Sequence, residues 1–378
     1  MNNVYITKIG KFLPNDPITN DQIENVLGMV GDKPSKARAV TLRSNKIKTR
    51  YYALKDGKTT HTNAQLAAAA VRNLFDDVFS LNDVELLTCG TTGPDQLLPS
   101  HASMVQGELG GNNPFEVASF SGACLTGTQA LKYAYMSISS GDKKSAISTG
   151  SERPSIHMRG EKYREEYDNL KLINENPYIA FEKDFLRWML SDGAGAFLLK
   201  NEPNKTGLSL KIEWITMGSY SNQYDVCMYN GSDKNGEEGF LGYADIPQDE
   251  WNKRSVFSLK QDVRLLGENI TTLIADFLKR TVEKKSLDLK TVDWFLPHIS
   301  SYFFYQKVYD SMTEIGLEIP LEKWFTNLES VGNVGSASPY IMLEELFYSD
   351  KIKKGQKILM MIPESARFSF SYVLLTVV

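Results

Sequence analysis

Apolar residues recur along this chain in two rhythms. In THTNAQLAAAAVRNLF, residues 60–75, Leu66, Ala69, Ala70 and Leu74 fall near helical spacing. The same spacing joins Leu131, Ala134, Tyr135 and Ile138. It returns in LLGENITTLIADFLKR, with Leu266, Ile270, Leu273, Ile274 and Phe277 on one face, and SASPYIMLEELFYSD reads as a further helix. Between these helices lie short apolar runs bounded by turn residues: NNVYITKIGKFLP, DVELLTCG, PFEVASF, KKSAISTGSE, SDGAGAFLLK, TVDWFLPHIS, QKILMMIP and FSYVLLTVV. Runs of that length predict buried strands. In ITNDQIENVL, Thr19, Asn20 and Asp21 precede an apolar pattern and predict a helix start. Strand and helix alternate, which predicts an α/β fold with a parallel sheet. The style repeats after residue 205, dividing the chain into halves 1–205 and 206–378. Segments 154–187 and 219–252 lack periodicity and read as insertions, of the kind used for lids or binding loops.

Length agrees with two units, because 378 residues exceed one ordinary core. A formal net charge of −4 argues against a nucleic-acid role. No apolar run approaches the ~20 residues of a membrane span, and the N-terminus lacks a signal-like stretch. A cytoplasmic protein is expected. Cys89, Cys124 and Cys227 are too few and too scattered for a disulfide framework or a structural zinc site.

Three residues carry candidate chemistry. Cys124, in SGACLTG, precedes a helix whose positive end favours a thiolate and whose N–H groups suit an oxyanion. A small buried packing residue is the alternative. His298 ends the strand VDWFLPH, and active sites in α/β sheets gather at such ends. A structural histidine capped by a carbonyl is the alternative. Asn333 sits in a Gly-Asn-x-Gly turn, where it either shapes the turn or offers its amide to a pocket.

Taken in order, VYITKIGKFLPNDPITNDQIE, VELLTCGTTGPDQLLPSHASMVQGELG, SGACLTG, SDGAGAFLL, VDWFLPHISS and VGNVGSASPYIMLEEL resemble the condensing enzymes of the β-ketoacyl-acyl-carrier-protein synthase III group, within the thiolase superfamily. The resemblance spans nearly the whole chain. It implies a thiolase-like fold, two similar α/β halves giving a layered α-β-α-β-α core. It implies that Cys124 carries an acyl group and that His298 and Asn333 stabilise an enolate. It also implies no metal or redox cofactor, substrates carried on acyl carrier protein or coenzyme A, and a homodimer. A biosynthetic thiolase would need a second cysteine near the C-terminus, and IPESARFSFSYVLL has none. A type III polyketide synthase would carry a glycine-proline loop there. A hydroxymethylglutaryl-coenzyme A synthase would place a glutamate near the nucleophile, and no motif supports Glu108 or Glu116.

PESARFSFS departs from the family, which has two or three glycines in this place. By alignment, Ser365 or Ala366 supplies the N–H of the oxyanion hole. Arg367 either makes a surface ion pair or binds a carboxylate or enolate. The ending resembles the branch that joins a β-ketoacyl thioester to a second acyl thioester and closes a ring, giving dialkylresorcinols or cyclohexanediones. Fatty-acid initiation is the alternative. Glu152, in TGSERPS, is a candidate base or orienter for ring closure, against the alternative of a paired structural carboxylate. In RAVTLRSNKIKTRYYAL, Arg43 matches a carrier-binding arginine, but Ala39 replaces a stacking tryptophan. That change favours acyl carrier protein over coenzyme A, with Lys46, Lys48 and Arg50 as the basic patch, unless that run is simply a solvated face.

Overall fold

The structure, a computed structural model, describes residues 2–30, 34–35, 38–172, 181–235 and 239–378. Nine strands make one sheet: β1 (Tyr5–Phe12), β2 (Leu86–Thr91), β3 (Glu116–Ser121), β4 (Ser145–Glu152), β5 (Gly193–Lys200), β6 (Leu210–Ser219), β7 (Trp294–Pro297), β8 (Lys357–Glu364) and β9 (Ser369–Val377). Their order across the sheet is β7-β8-β9-β6-β1-β5-β4-β2-β3. The principal helices are α1 (Arg38–Asn45), α2 (Asn63–Arg72), α3 (His101–Leu109), α4 (Thr126–Ser140), α5 (Val263–Lys285), α6 (Tyr305–Glu314) and α7 (Ser338–Phe347).

The order contains an internal repetition. Strands β1 to β5 lie as β3-β2-β4-β5-β1, with β2 parallel to β3 and β4 and the remaining pairs antiparallel. The second arc, β7-β8-β9-β6, copies β2-β4-β5-β1 in order and direction. The counterpart of β3 shrinks to one parallel bridge, Phe295 to Trp324, with the Phe325 N–H donating to Phe295 O at 2.9 Å. The arcs join where Tyr5 and Ile6 of β1 face Lys211 and Leu210 of β6.

Strand alternation sorts the core into layers. Leu87, Cys89, Ile147, Ala196 and Leu198 pack outward with Leu66, Val71, Ala102 and Val105 of α2 and α3. Their neighbours Leu86, Ala146, Phe197 and Leu199 face inward onto Leu131 and Ala134 of α4 and Tyr340 and Leu343 of α7. Ile358, Met360, Val373 and Leu375 close that middle layer from the second arc. Leu359, Met361, Tyr372 and Leu374 face out, onto Leu266, Ile270 and Phe277 of α5 and Val308 of α6. The five layers are the α-β-α-β-α core of a thiolase-like fold. Among the described residues no helix is long and apolar enough to cross a membrane.

Two local expectations change. The early helix spans only Ile23–Leu27, and its N-cap is Gln22, not Thr19, Asn20 or Asp21. Thr19 donates its own N–H to Gln22 Oε1 instead, at 2.9 Å. The two irregular segments also hold ordered structure, although residues 173–180 and 236–238 lie outside the described residues. Met228–Tyr229 pairs antiparallel with Lys260–Gln261, and Ser232–Asn235 with Gly239–Gly242. Buried Lys260 ties this region together through Ser232 O, Asp233 Oδ1 and Arg254 O, each within 3.2 Å. His157 meets Phe257 O at 3.1 Å and Ser255 bonds Glu166, so the first segment is braced against the stretch that follows the second.

Candidate active site

Three turns converge at one end of the strands. β3 ends at Ser121, and Cys124 occupies the turn before α4. That turn sits hard against the turn that precedes α7. A Cβ on Gly127 would lie 2.4 Å from Ser336 O, so only glycine permits the approach. The Tyr340 hydroxyl donates to Gly127 O and meets Ser148 Oγ, both at 2.7 Å, locking the two together. Asn333 donates its N–H to Met189 O and accepts from the Ser191 N–H at 2.9 Å each, between Gly332 and Gly335 at φ 77° and 50°. Its side-chain Oδ1 accepts from the Gly335 N–H at 2.9 Å. That bond fixes the amide orientation and leaves Nδ2 as a donor with no partner among the described residues. His298 follows β7, anchored by its N–H to Met361 O at 2.8 Å. Its buried ring has no hydrogen-bond partner among the described residues.

Two narrow clefts meet at Cys124. Leu266, Ile270, Ile274, Phe304 and Val308 wall the first, and His298 also lines it. Leu186, Met189, Leu190, Met228 and Leu259 wall the second, which also holds Asn333, Glu152, Thr92 and Gln261. Cys124, Ser300 and Ser365 line both, and no lysine or arginine lines either. Both irregular segments contribute walls, through Leu186 on one side and Met228 on the other.

The electrostatics overturn the expected thiolate. Burial, then the Glu152 and Glu364 carboxylates, push the Cys124 thiol above its ordinary value. A helix end cannot offset two nearby anions and lost hydration. Burial also lowers His298 to about 4, so its imidazole is neutral at pH 7. Glu152 is lifted to about 7 by burial, against the opposing hydrogen bonds of Ser336 and Thr92. Its Oε1 accepts from the Thr92 N–H at 3.0 Å, the Thr92 hydroxyl at 2.7 Å and the Ser336 N–H at 3.1 Å. Glu152 therefore braces the asparagine turn and also lines the cleft.

This carboxyl makes stability pH-dependent. Its native value, about 7, exceeds its ordinary 4.5, so the folded state holds more proton between those limits. Its contribution is complete below pH 4.5 and is lost as pH rises through 7. Glu152→Gln keeps an acceptor and removes the titration. Its melting temperature is expected to match the parent at acid pH and exceed it at pH 8, by an amount equivalent to roughly 3 kcal/mol. Parallel melting-versus-pH curves for the two proteins would count against this assignment.

The glycine-poor turn treats Ser365 and Ala366 differently. Glu364 Oε1 accepts from the Ala366 N–H at 2.5 Å and the Arg367 N–H at 3.3 Å. Ala366 O accepts from the Cys227 and Met228 N–H groups at 2.8 and 3.2 Å. Ala366 is thus committed on both sides, while the Ser365 N–H has no partner among the described residues. Phe368 takes the left-handed conformation, φ 59°, without glycine. Arg367 does not enter the clefts: it is exposed and donates from Nε to Tyr224 O at 3.0 Å. It anchors the irregular segment at the surface, and of its two candidate roles the contact with a carboxylate or enolate in the clefts is the one set aside.

Arg50 is corrected too. It is fully buried, donating to Asn20 Oδ1 at 2.6 Å and Trp188 O at 2.7 Å, so it cannot meet a carrier. Arg43, Lys46 and Lys48 are exposed, as is Ala39, and Lys48 pairs with Glu329. Glu108 and Glu116 line neither cleft. Glu116 instead bonds the Tyr133 hydroxyl at 2.6 Å and Lys143 at 3.1 Å. Ser300 and Gln261 escaped the sequence reading. Ser300 was within reach of it, two residues past His298; Gln261 follows an irregular tract that carries no signal.

Residues 282–362 match the family described as 3-oxoacyl-[acyl-carrier-protein (ACP)] synthase III C terminal. The chain is 25% identical over 365 residues to a β-ketoacyl-[acyl-carrier-protein] synthase III of Clostridium perfringens, covering 95% of each chain. It is 26% identical over 356 residues to the enzyme of that name in Anaplasma marginale, covering 93% of this chain and 92% of the other. In fold it is similar to AbyA1, a tetronic acid condensing enzyme, at TM-score 0.76, 18% identity and 99% of each chain. It is also similar to Xanthomonas campestris OleA, at TM-score 0.71, 18% identity and 99% of each chain. Over nearly its whole length the chain is thus similar to β-ketoacyl synthase III-like condensing enzymes, and the segment that matches the family model contains His298 and Asn333.

Proposed function

We propose that this acyltransferase forms carbon–carbon bonds by Claisen condensation of acyl thioesters through an acyl group on Cys124. The observation that carries the reading is the convergence of Cys124, His298 and Asn333 where two apolar clefts meet. The Cys124 sulfur attacks a thioester carbonyl carbon, a new carbon–sulfur bond forms, and the carrier thiol leaves. Because the thiol is neutral at rest, it needs a proton acceptor, and neutral His298 fills that role before passing the proton to the departing carrier. A second thioester then loses a proton from its α-carbon to Glu152. His298 and the Asn333 amide donate to its carbonyl oxygen and hold the enolate. The α-carbon attacks the acyl group, the bond to Cys124 breaks, and the thiolate recovers the proton from Glu152. The Cys124 and Ser365 N–H groups serve the acyl oxygen. No step calls for a metal or redox cofactor.

Within this reading the first thioester joins a β-ketoacyl thioester, and the product closes toward a dialkylresorcinol or cyclohexanedione. Two clefts suit two chains, and a proton acceptor beside Cys124 suits ring closure. Fatty-acid initiation is the second reading, favoured by the names of the relatives. Acyl carrier protein is the preferred carrier, docking on exposed Arg43, Lys46 and Lys48, with coenzyme A as the alternative. The edge strand β3 suits a homodimer. The test is product analysis after mixing a β-ketoacyl carrier with a separate acyl carrier. A cyclic product is expected; open-chain products at every chain length would overturn ring closure and leave the condensation.

A further inference from the structure

Counting donors against acceptors at the cleft junction leaves two donors over. Condensing two simple thioesters presents two carbonyl oxygens. The Cys124 and Ser365 N–H groups serve one, and His298 with Asn333 Nδ2 serves the other. Ser300 and Ser365 add two side-chain hydroxyls at the same junction, since both line both clefts. The Ser300 hydroxyl has no hydrogen-bond partner among the described residues. Ser365 Oγ accepts from Gln261 Nε2 at 3.1 Å, which occupies a lone pair and leaves the hydroxyl proton free to donate. Gln261 is itself buried, 3% exposed. Both serines are half-buried among apolar residues such as Leu266, Ile270 and Leu259, with Asn333, Glu152 and Thr92 on the second cleft.

We propose that the Ser300 and Ser365 hydroxyls form a subsite for the β-keto oxygen of a β-ketoacyl thioester, with Gln261 as the residue that positions Ser365. The inference rests on the condensation reading and specifies its substrate class. The chemistry favours donors in that place. The enolate of a 1,3-dicarbonyl spreads its charge over two oxygens, and donors at both stabilise it more than donors at one. A saturated acyl chain presents a methylene at the same point and leaves the hydroxyls unpaired, and sites built to bond a polar group discriminate against analogues without it.

The experiment loads Cys124 with one saturated acyl group, confirmed by mass spectrometry of the adduct, and then measures kcat/KM for condensation with a β-ketoacyl thioester and with the saturated thioester of equal length as the second substrate. The parent enzyme is expected to prefer the β-ketoacyl thioester. Ser300→Ala and Ser365→Ala are each expected to lower that preference about three- to tenfold, and Gln261→Leu to lower it in the same direction. The ratio is taken within each variant, so partial loss of folded protein cancels. Condensation with both second substrates at a ratio that no variant alters would overturn the subsite alone. No adduct on Cys124 would overturn the condensation reading and the subsite together.

Discussion

Cys124→Ala is expected to abolish the covalent acyl adduct and to lower condensation roughly a thousandfold or more. The expectation rests on position. Cys124 lines both clefts, whereas Cys89 is buried in β2 and the buried Cys227 gives its thiol to Asp262 O at 3.3 Å. Neither can stand in. The raised thiol also fixes how acylation responds to its surroundings. Attack needs the proton to leave, and two carboxylates oppose the resulting anion. Acylation is therefore expected to be faster in Glu152→Gln, which lacks the Glu152 charge, than in the parent enzyme, even though condensation slows. Intact-mass measurement after exposure to an acyl thioester checks both statements. An adduct that persists in Cys124→Ala would end the nucleophile assignment.

Asn333→Ala is expected to reduce condensation about 100- to 1,000-fold, the usual cost of one preorganised donor at a developing oxyanion. Adduct formation on Cys124 is expected to survive, because Asn333 serves the second thioester. The bond from the Gly335 N–H to Asn333 Oδ1 aims Nδ2 at the cleft. Asn333→Asp tests that aim directly: an ionised carboxylate keeps the Gly335 bond but has no proton to donate. Its condensation rate is expected to fall as far as that of alanine. Equal loss of acylation and condensation in both variants would show a general disturbance of the site rather than loss of an oxyanion donor.

Much of this arrangement was legible in the sequence, for a physical reason. Turns at strand ends are written in short local signals, so Cys124, His298 and Asn333 could be picked from glycines, apolar runs and chain order. Side-chain direction is not local. Extended alternation would place Arg50 on the same face as Lys46 and Lys48, yet Asn20 and the Trp188 carbonyl draw its guanidinium inward. Lys46, at φ 57°, also breaks the extended run. The Cys124 thiol shows the same limit: the helix start is visible beside it, but the carboxylates that raise it come from positions 152 and 364. Arg367 had two open roles until the Tyr224 carbonyl, far away in the chain, accepted its Nε–H.

The sheet has one consequence for assembly. The β7 side is shielded, since Trp324 and Phe325 already occupy the outer flank of Phe295. On the β3 side, β2 is the sole neighbour among the described strands, so one flank of β3 is unpaired. A second copy that added its own β3 along that flank would form an isologous contact, the same surface serving both copies and none of it left for a third.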